Sequence, residues 1–396
     1  GPMQGVRVVE LGLWVAGSAC GGILADWGAD VIKVEPHEGD PFRGLEWLFP
    51  GDSHPPFNLD NRGKRSVALD LRTPAGMEAM HLLLERADVF VSNYRPAGLK
   101  RLGLDHETLC RRYPKLIYAS VTGMSLRGEE ANRQAYDIGA FWSRSGIAHA
   151  LSSGQDNPPV QRGGMGDHMT GLGAVAGISA ALFHRERSGE GQLVETSLMR
   201  IGTYMLGWDH NVTAATGDDV VVRGRDEQPN PLINCYKCSD GKWLWMLGLE
   251  GDRHWPQVVE ALEVPKWLED QRFSGIETRM ENSSILTAEM DAILLTKERD
   301  EWGRIFDAND VWWAPVQSSL ELLTDPQSRA AGCWIQVSTD DAETVEMVAS
   351  PIDFSVTEWE VSNGAPSLGQ DTELVLNELG IDWDRIIEMK ESGVIP

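Results

Sequence analysis

The stretch Val6-Arg7-Val8-Val9-Glu10-Leu11, a Gly/Ala-rich run from about Ala16 to Trp27, and then Gly28-Ala29-Asp30-Val31-Ile32-Lys33-Val34-Glu35 together decide the fold. The two apolar runs are short and β-branched, as buried strands are. The small residues between them suit a helix that packs tightly on a sheet. The three pieces read as a βαβ unit, the start of a parallel α/β sheet. Residues 66–71, 87–91 and 116–121 read as further strands, and Thr73-Pro74 opens a helix with proline in its first turn. A dinucleotide site would need G-x-G-x-x-G in the first turn and an acid after the second strand. Glu35 supplies the acid, but Gly12-Leu13-Trp14-Val15-Ala16-Gly17 lacks the glycine pattern, which argues against a nicotinamide cofactor.

With 396 residues, 42% of them hydrophobic, the chain can bury two cores. No apolar run reaches the roughly 20 residues of a membrane helix. Arg7 and Glu10 interrupt the N-terminal apolar run, so no signal peptide is expected and the chain reads as cytoplasmic. Gly1-Pro2 before Met3 reads as a cleavage remnant. The formal net charge of −25 argues against nucleic acid and anionic membranes as partners. Residues 60–115 nonetheless carry an excess of Lys and Arg, which suits a small phosphorylated ligand. Cys235 and Cys238 form a lone C-x-x-C in an expected hairpin, without a second ligand pair for zinc, and read as structural thiols.

The expected organisation is a Rossmann-like parallel-sheet large domain with an inserted smaller α+β domain. The large domain spans 1–210 and is completed by 330–396. Residues 211–230, polar and rich in Gly and Asp, read as a linker. The small domain spans 231–316, with a 234–247 hairpin turning at Asp240-Gly241 and helices near 252–262 and 285–308. Residues 317–329 form the return linker, starting from Ala314-Pro315-Val316-Gln317. The tail from Ser350 is expected to hold one strand, a turn at Gly364-Ala365-Pro366 and a final helix.

Gly166-Asp167-His168 opens a long run of small residues that reads as a buried helix. Aspartate at such a place is a favoured N-cap. The same position suits chemistry, because a helix N-terminus stabilises an anion and Gly166 leaves room for a bulky substrate. His168, next in sequence, is expected to point elsewhere on the helix. Glu250 and Gly251 follow the second hairpin strand, where the residues alone read as a solvent-facing turn. The chain has 15 Trp, and nothing in their spacing singles out a pocket.

The order of these motifs resembles the class III CoA-transferases, a family that also contains acyl-CoA racemases. The segment Leu24-Ala25-Asp26-Trp27-Gly28-Ala29-Asp30-Val31-Ile32-Lys33-Val34-Glu35 resembles the family's N-terminal signature, and the resemblance runs along nearly the whole chain. It implies the family's fold, with two chains interlocked as a homodimer. It implies that Asp167 is the nucleophile, with Glu250 a possible second catalytic group. Val15, Ala16 and Gly17 would pass beside the thiol arm of coenzyme A. Asn93, Arg95, Arg101 and Tyr136 would lie at the CoA site, while the role of Lys64-Arg65 is less defined. Backbone amides near Gly17 and Gly248 would stabilise oxyanions. Acyl-CoA and a small carboxylic acid would be the substrates, with no permanently bound cofactor, no metal and no ATP. The racemases carry Gly-His-Asp where this chain has Ala135-Tyr136-Asp137, and a phenol is a poor base near neutral pH. That departure favours transfer. The alternatives are an acyl-CoA racemase or isomerase on the same fold, or a CoA-binding protein without catalysis.

Overall fold

Six parallel strands form one sheet: β1 (Arg7–Leu11), β2 (Asp30–Glu35), β3 (Arg65–Ala68), β4 (Val89–Ser92), β5 (Ile117–Thr122) and β6 (Leu193–Ser197). They lie in the order β3-β2-β1-β4-β5-β6. β1 pairs with β2 through Val8↔Val31 and with β4 through Val8↔Val89. The chain therefore reverses its direction of winding beside β1, the switch point at which open α/β sheets place their crevice. The computed structural model describes residues 1–48, 54–152, 157–338, 344–361 and 363–396.

Strand periodicity explains the two cores. Alternate residues point to opposite faces. Val9, Leu11, Ile32, Val34, Phe90 and Tyr118 enter one core, and Val8, Val31, Val89, Val91, Ile117 and Ala119 enter the other. The helices of this part are α1 (Ala16–Asp26), α2 (Pro55–Asn61), α3 (Pro74–Glu85), α4 (Pro96–Leu102), α5 (His106–Arg112), α6 (Ile147–Ala150), α7 (Met165–Ser188), α8 (Leu198–Met205) and α9 (Gly207–Thr216). α3 contributes Met80 and Leu83 to the first core, and α1 and α7 contribute Cys20, Leu24, Val175 and Ile178 to the second.

The chain divides into two compact units. The first comprises residues 1–148, 160–218 and 329–396, and the second 149–159 and 219–328. In the second unit, β7 (Cys235–Lys237), β8 (Trp243–Met246) and β9 (Trp313–Pro315) form an antiparallel sheet in that order. The hairpin turns at Gly241 with φ +79°. α10 (Gly251–Ala261), α11 (Ile276–Glu281), α12 (Ser283–Leu294) and α13 (Arg299–Ala308) pack on it, with Trp255 and Trp267 stacked at 5.8 Å. Then come α14 (Ser319–Thr324), α15 (Pro326–Ala330), β10 (Trp334–Ser338), β11 (Thr344–Val348), α16 (Thr372–Glu378) and α17 (Trp383–Glu391).

Several expectations need correction. β6 was not anticipated, because its residues are only half-buried towards the start and Glu195 interrupts the apolar pattern. The polar stretch 211–230 begins inside α9, and 317–329 is largely helical, started by a Ser318–Glu321 capping box. The expected helix over 285–308 is two helices, broken between Leu294 and Arg299. Ala314 and Pro315 belong to the third small-sheet strand, not to a return path. The tail strand lies before Ser350, as the β10–β11 hairpin, and two helices follow instead of one. Val375, Leu376, Ile386 and Met389 of those helices complete the first core. Among the described residues no helix is long and apolar enough to cross a membrane.

The start of the sheet is joined by a buried ionic network. Glu10, Lys33 and Lys64 are all inaccessible. Glu10 accepts from Lys33 at 3.0 Å and from Lys64 at 2.7 Å. Lys33 also donates to Asp40 at 3.0 Å and to Ser18, and Lys64 to the Ser18 carbonyl and Asn61. Burial pushes the Glu10 carboxyl up, but the two ammonium groups hold it below the usual carboxylate range. Gly21 is required here, since a Cβ on it would stand 1.9 Å from Glu10 Oε2. Removing one partner of such a network leaves a buried charge uncompensated. Lys64→Met should therefore cost about 3 kcal/mol in urea unfolding; a loss below about 1 kcal/mol would show that the network is not needed for stability.

Candidate functional site

The turn after β1 is shaped by Asn93, which follows β4. Its Oδ1 accepts from the Leu13 amide at 3.0 Å, and its Nδ2 donates to the Leu13 carbonyl at 2.6 Å. A Cβ on Gly17 would lie 3.1 Å from the same side chain, so the turn and Asn93 are in close contact. Trp14 takes φ +63°, a strained value for a bulky residue. Its amide donates to Asp40 Oδ1 at 2.9 Å, and its ring meets Tyr136 edge-on at 5.5 Å. Val15 occupies the N-cap of α1 without a side-chain hydrogen bond, so the amides of Ala16 and Gly17 have no side-chain cap. Asn93 thus packs against the turn that leads into Val15, Ala16 and Gly17 at the switch point, and through Trp14 that turn touches the exposed Tyr136.

Asp167 is not a capping residue. α7 starts after Gly164, which takes φ +79° as the N-cap, and Asp167 is the third helical residue. Its carboxylate takes no hydrogen bond among the described residues. It is half-buried, and burial followed by the charge of Asp137 pushes its carboxyl up to about 7, with Asp60 adding to the rise and His168 opposing it. Gly166 is obligatory, because a Cβ there would enter the Phe141 ring at 2.4 Å. Asp137 is held by its own loop: it accepts from the Ile138 amide at 2.8 Å and from Gln161 at 3.0 Å.

His168 does turn to a specific partner. Its Nε2 lies 3.0 Å from Oδ1 of Asp60, and that hydrogen bond raises its pKa against the effect of burial. Asp60, Asp40, Phe141 and Gln161 were not singled out by sequence reasoning. For Asp60 a signal existed: it falls one turn after Phe57, on the apolar face of α2, where an acid is out of place.

Part of the basic excess is structural. Arg62 pairs with Asp26 at 2.7 Å, Lys64 with Glu10, and Arg65 with Asp30 and Glu378, each at 2.8 Å. Arg95 and Arg101, like Lys100, Arg111 and Lys115, are exposed and without a side-chain partner among the described residues. Arg95 and Arg101 sit at the two ends of α4, about 9 Å apart along its axis. Glu250 belongs to the second unit, where it is exposed and paired with Arg253. The Gly248 amide donates to the Leu232 carbonyl at 2.8 Å, so it is not free to serve an oxyanion. Cys238 is buried in the core of the second unit and Cys235 is half-buried.

Comparison with known proteins places these residues in context. The profile of CoA-transferase family III matches residues 3–372. The chain is 30% identical to (R)-2-hydroxy-4-methylpentanoate CoA-transferase of Clostridioides difficile, over 99% of each chain. It is 32% identical to succinate–glutarate CoA-transferase of Agrobacterium fabrum strain C58, over 96% of each. Among solved structures, a CaiB/BaiF family protein from Brucella suis superposes with a TM-score of 0.84 at 30% identity, covering 96% of this chain and 99% of that one. The chain belongs to CoA-transferase family III.

Proposed function

We propose that this protein transfers CoA between an acyl-CoA thioester and a free carboxylic acid, with Asp167 as the nucleophile. The observation that carries this reading is the state of Asp167. It is a half-buried carboxylate with no hydrogen bond among the described residues, its carboxyl pushed up to about 7. A carboxylate left without donors keeps its nucleophilicity, and a pKa near the operating pH keeps enough of it ionised.

The steps balance without an outside proton. The Asp167 carboxylate attacks the thioester carbonyl, the C–S bond breaks, and CoA thiolate leaves behind a mixed anhydride. Thiolate attacks the aspartyl carbonyl and releases the donor acid, giving an aspartyl-CoA thioester. The acceptor carboxylate attacks that carbonyl, expels thiolate and forms a second anhydride. Thiolate then attacks the acceptor's acyl carbon and returns Asp167 as carboxylate. The uncapped amide of Gly17, at the start of α1, is suited to stabilise an oxyanion along this path.

CoA itself fits the crevice after β1. Val15, Ala16 and Gly17 would line its thiol arm beside Asn93 and Tyr136, and the partnerless Arg95 and Arg101 would meet its phosphates. No resident cofactor is needed. Glu250 is kept as a second catalytic candidate on family resemblance alone. The working unit is an interlocked homodimer. The interlocking rests on family resemblance; a partner surface is supported by α8 and α9, which expose Tyr204 at 84% and Trp208 at 91%. Racemisation on the same fold is disfavoured because Tyr136 stands where the racemases carry histidine.

Arg101→Ala should weaken CoA by about 1.5–3 kcal/mol in calorimetry, the loss of a charged hydrogen bond. Unchanged affinity would remove Arg101 from the site. Asp167→Ala should abolish exchange, read by mass spectrometry across a panel of acyl-CoA donors and free acids, and leave CoA binding intact. Hydroxylamine added with the active donor should convert Asp167 into a hydroxamate. Retention of most of the exchange rate by Asp167→Ala would sink the mechanism.

The raised pKa also predicts a stability effect that needs no substrate. An unfolded aspartate ionises near 3.8 and Asp167 in the fold near 7. Between those values the unfolded chain has released a proton that the folded chain keeps, so stability falls as pH rises through the window. Asparagine carries no such penalty. Asp167→Asn should melt above the wild type at pH 8 and show little advantage at pH 4. An advantage that does not grow with pH would contradict the assigned environment of Asp167.

A further inference from the structure

Asp60 is an acid on a buried face. It lies in the last turn of α2 with 3% of its surface exposed. Its backbone is packed against α1, where a Cβ on Gly22 would approach its carbonyl to 2.7 Å. A buried carboxylate calls for a charged partner. Lys64 is near enough to feel Asp60, but its three donors go to Glu10, the Ser18 carbonyl and Asn61. The group that reaches the Asp60 carboxylate is His168, at 3.0 Å.

We infer that Asp60 is a positioning residue of the transfer reaction: through this hydrogen bond it holds His168 as an imidazolium in the first turns of α7, and that cation keeps the adjacent Asp167 carboxylate ionised for attack. The role in attack rests on the chemistry proposed for Asp167; the ionic arrangement does not depend on it.

The surrounding charges decide the sign. Asp167 faces Asp137, from the loop before residues 138–143, and Asp60, from α2, and both disfavour its ionised form. His168 favours that form, and its effect is larger than the direct repulsion by Asp60. His168 itself is raised first by its hydrogen bond to Asp60, then by the charges of Asp60, Asp167 and Asp137, against burial. The charge that another element brings to this helix, Asp88 against Arg185, lies at its far end; near its start α1 meets Gly171 through Ala16 and Ala19, the 138–143 segment meets Gly166 through Phe141, and α8 meets Gly173 through Ile201. Neutralising Asp60 therefore removes a small repulsion from Asp167 but also releases the proton of the cation that matters more. The His168 side chain remains 45% exposed.

The test follows both titrations directly by NMR. Protein labelled with carbon-13 at the histidine rings and the aspartate carboxyls is titrated, with His168→Gln and Asp167→Asn used for assignment. His168 in the wild type should titrate above the ordinary imidazole range. Asp60→Asn should move its midpoint down and the Asp167 midpoint up. His168→Gln should raise the Asp167 midpoint in the same way, and the double variant should add nothing upward to it. With the donor and acid found by the exchange screen, Asp60→Asn should lose about 3–10-fold in rate at pH 6.5 and recover as the pH rises, as expected for a midpoint moved by up to about one unit. An unmoved His168 midpoint in Asp60→Asn, or an Asp167 midpoint that stays or falls, overturns the assignment. If Asp60→Asn does not fold by circular dichroism, His168→Gln decides alone: an unchanged Asp167 midpoint overturns it. Retained exchange in Asp167→Ala would instead refute the transfer chemistry, whatever the titrations show.

Discussion

The ion network around Glu10 is the constraint on which the rest of this structure depends. Three ionised side chains with no solvent access must each find their partners, and Glu10, Lys33 and Lys64 do so only in one arrangement of β1, β2, α1 and the approach to β3. Such a network is a weak source of net stability, because desolvation offsets most of the attraction. Its effect here is geometric. Lys33 holds Asp40, whose other oxygen takes the amide of Trp14 and so fixes the strained turn after β1. Lys64 holds Asn61, which anchors the end of α2 and with it Asp60. Both walls of the candidate site are set by the same buried charges.

On that scaffold, the carboxylates near α7 are treated unequally. Glu10 and Glu35 are buried with cations and fall below the usual range. Asp137 receives an amide and a carboxamide. Asp60 receives an imidazole. Asp167 receives nothing, although it lies in the first turn of a helix of 24 residues where a capping bond would have been easy to make. The helix is instead started by a glycine in the left-handed region, which leaves the aspartate free at a cost in stability. A carboxylate left in this state is what the proposed chemistry requires.

The relatives exchange CoA among acids of different kinds, and the parts that would vary with substrate are not the parts described above. The sheet, the turn after β1 and the start of α7 are built from backbone geometry, small residues and buried charge. Trp14 and Tyr136, at that turn, are at least partly exposed.

The sequence by itself determined the parallel sheet, through β-branched runs of period two separated by a small-residue helix, and it marked Gly166-Asp167 as a place of interest. Those signals are local: strand periodicity, glycine and the character of single residues survive without knowledge of distant neighbours. Only the tertiary structure decided what the charges do. The Lys and Arg of residues 62–65 looked available for a ligand, yet they are the partners of Glu10, Asp26 and Asp30, contributed by other strands and helices. Asp167 looked like a cap, yet a glycine three residues earlier takes that place. Asp60 and His168 are far apart along the chain and meet because α2 and α7 both lie against α1. Charge pairing depends on distance and burial, and those are properties of the packed chain, not of any window of sequence.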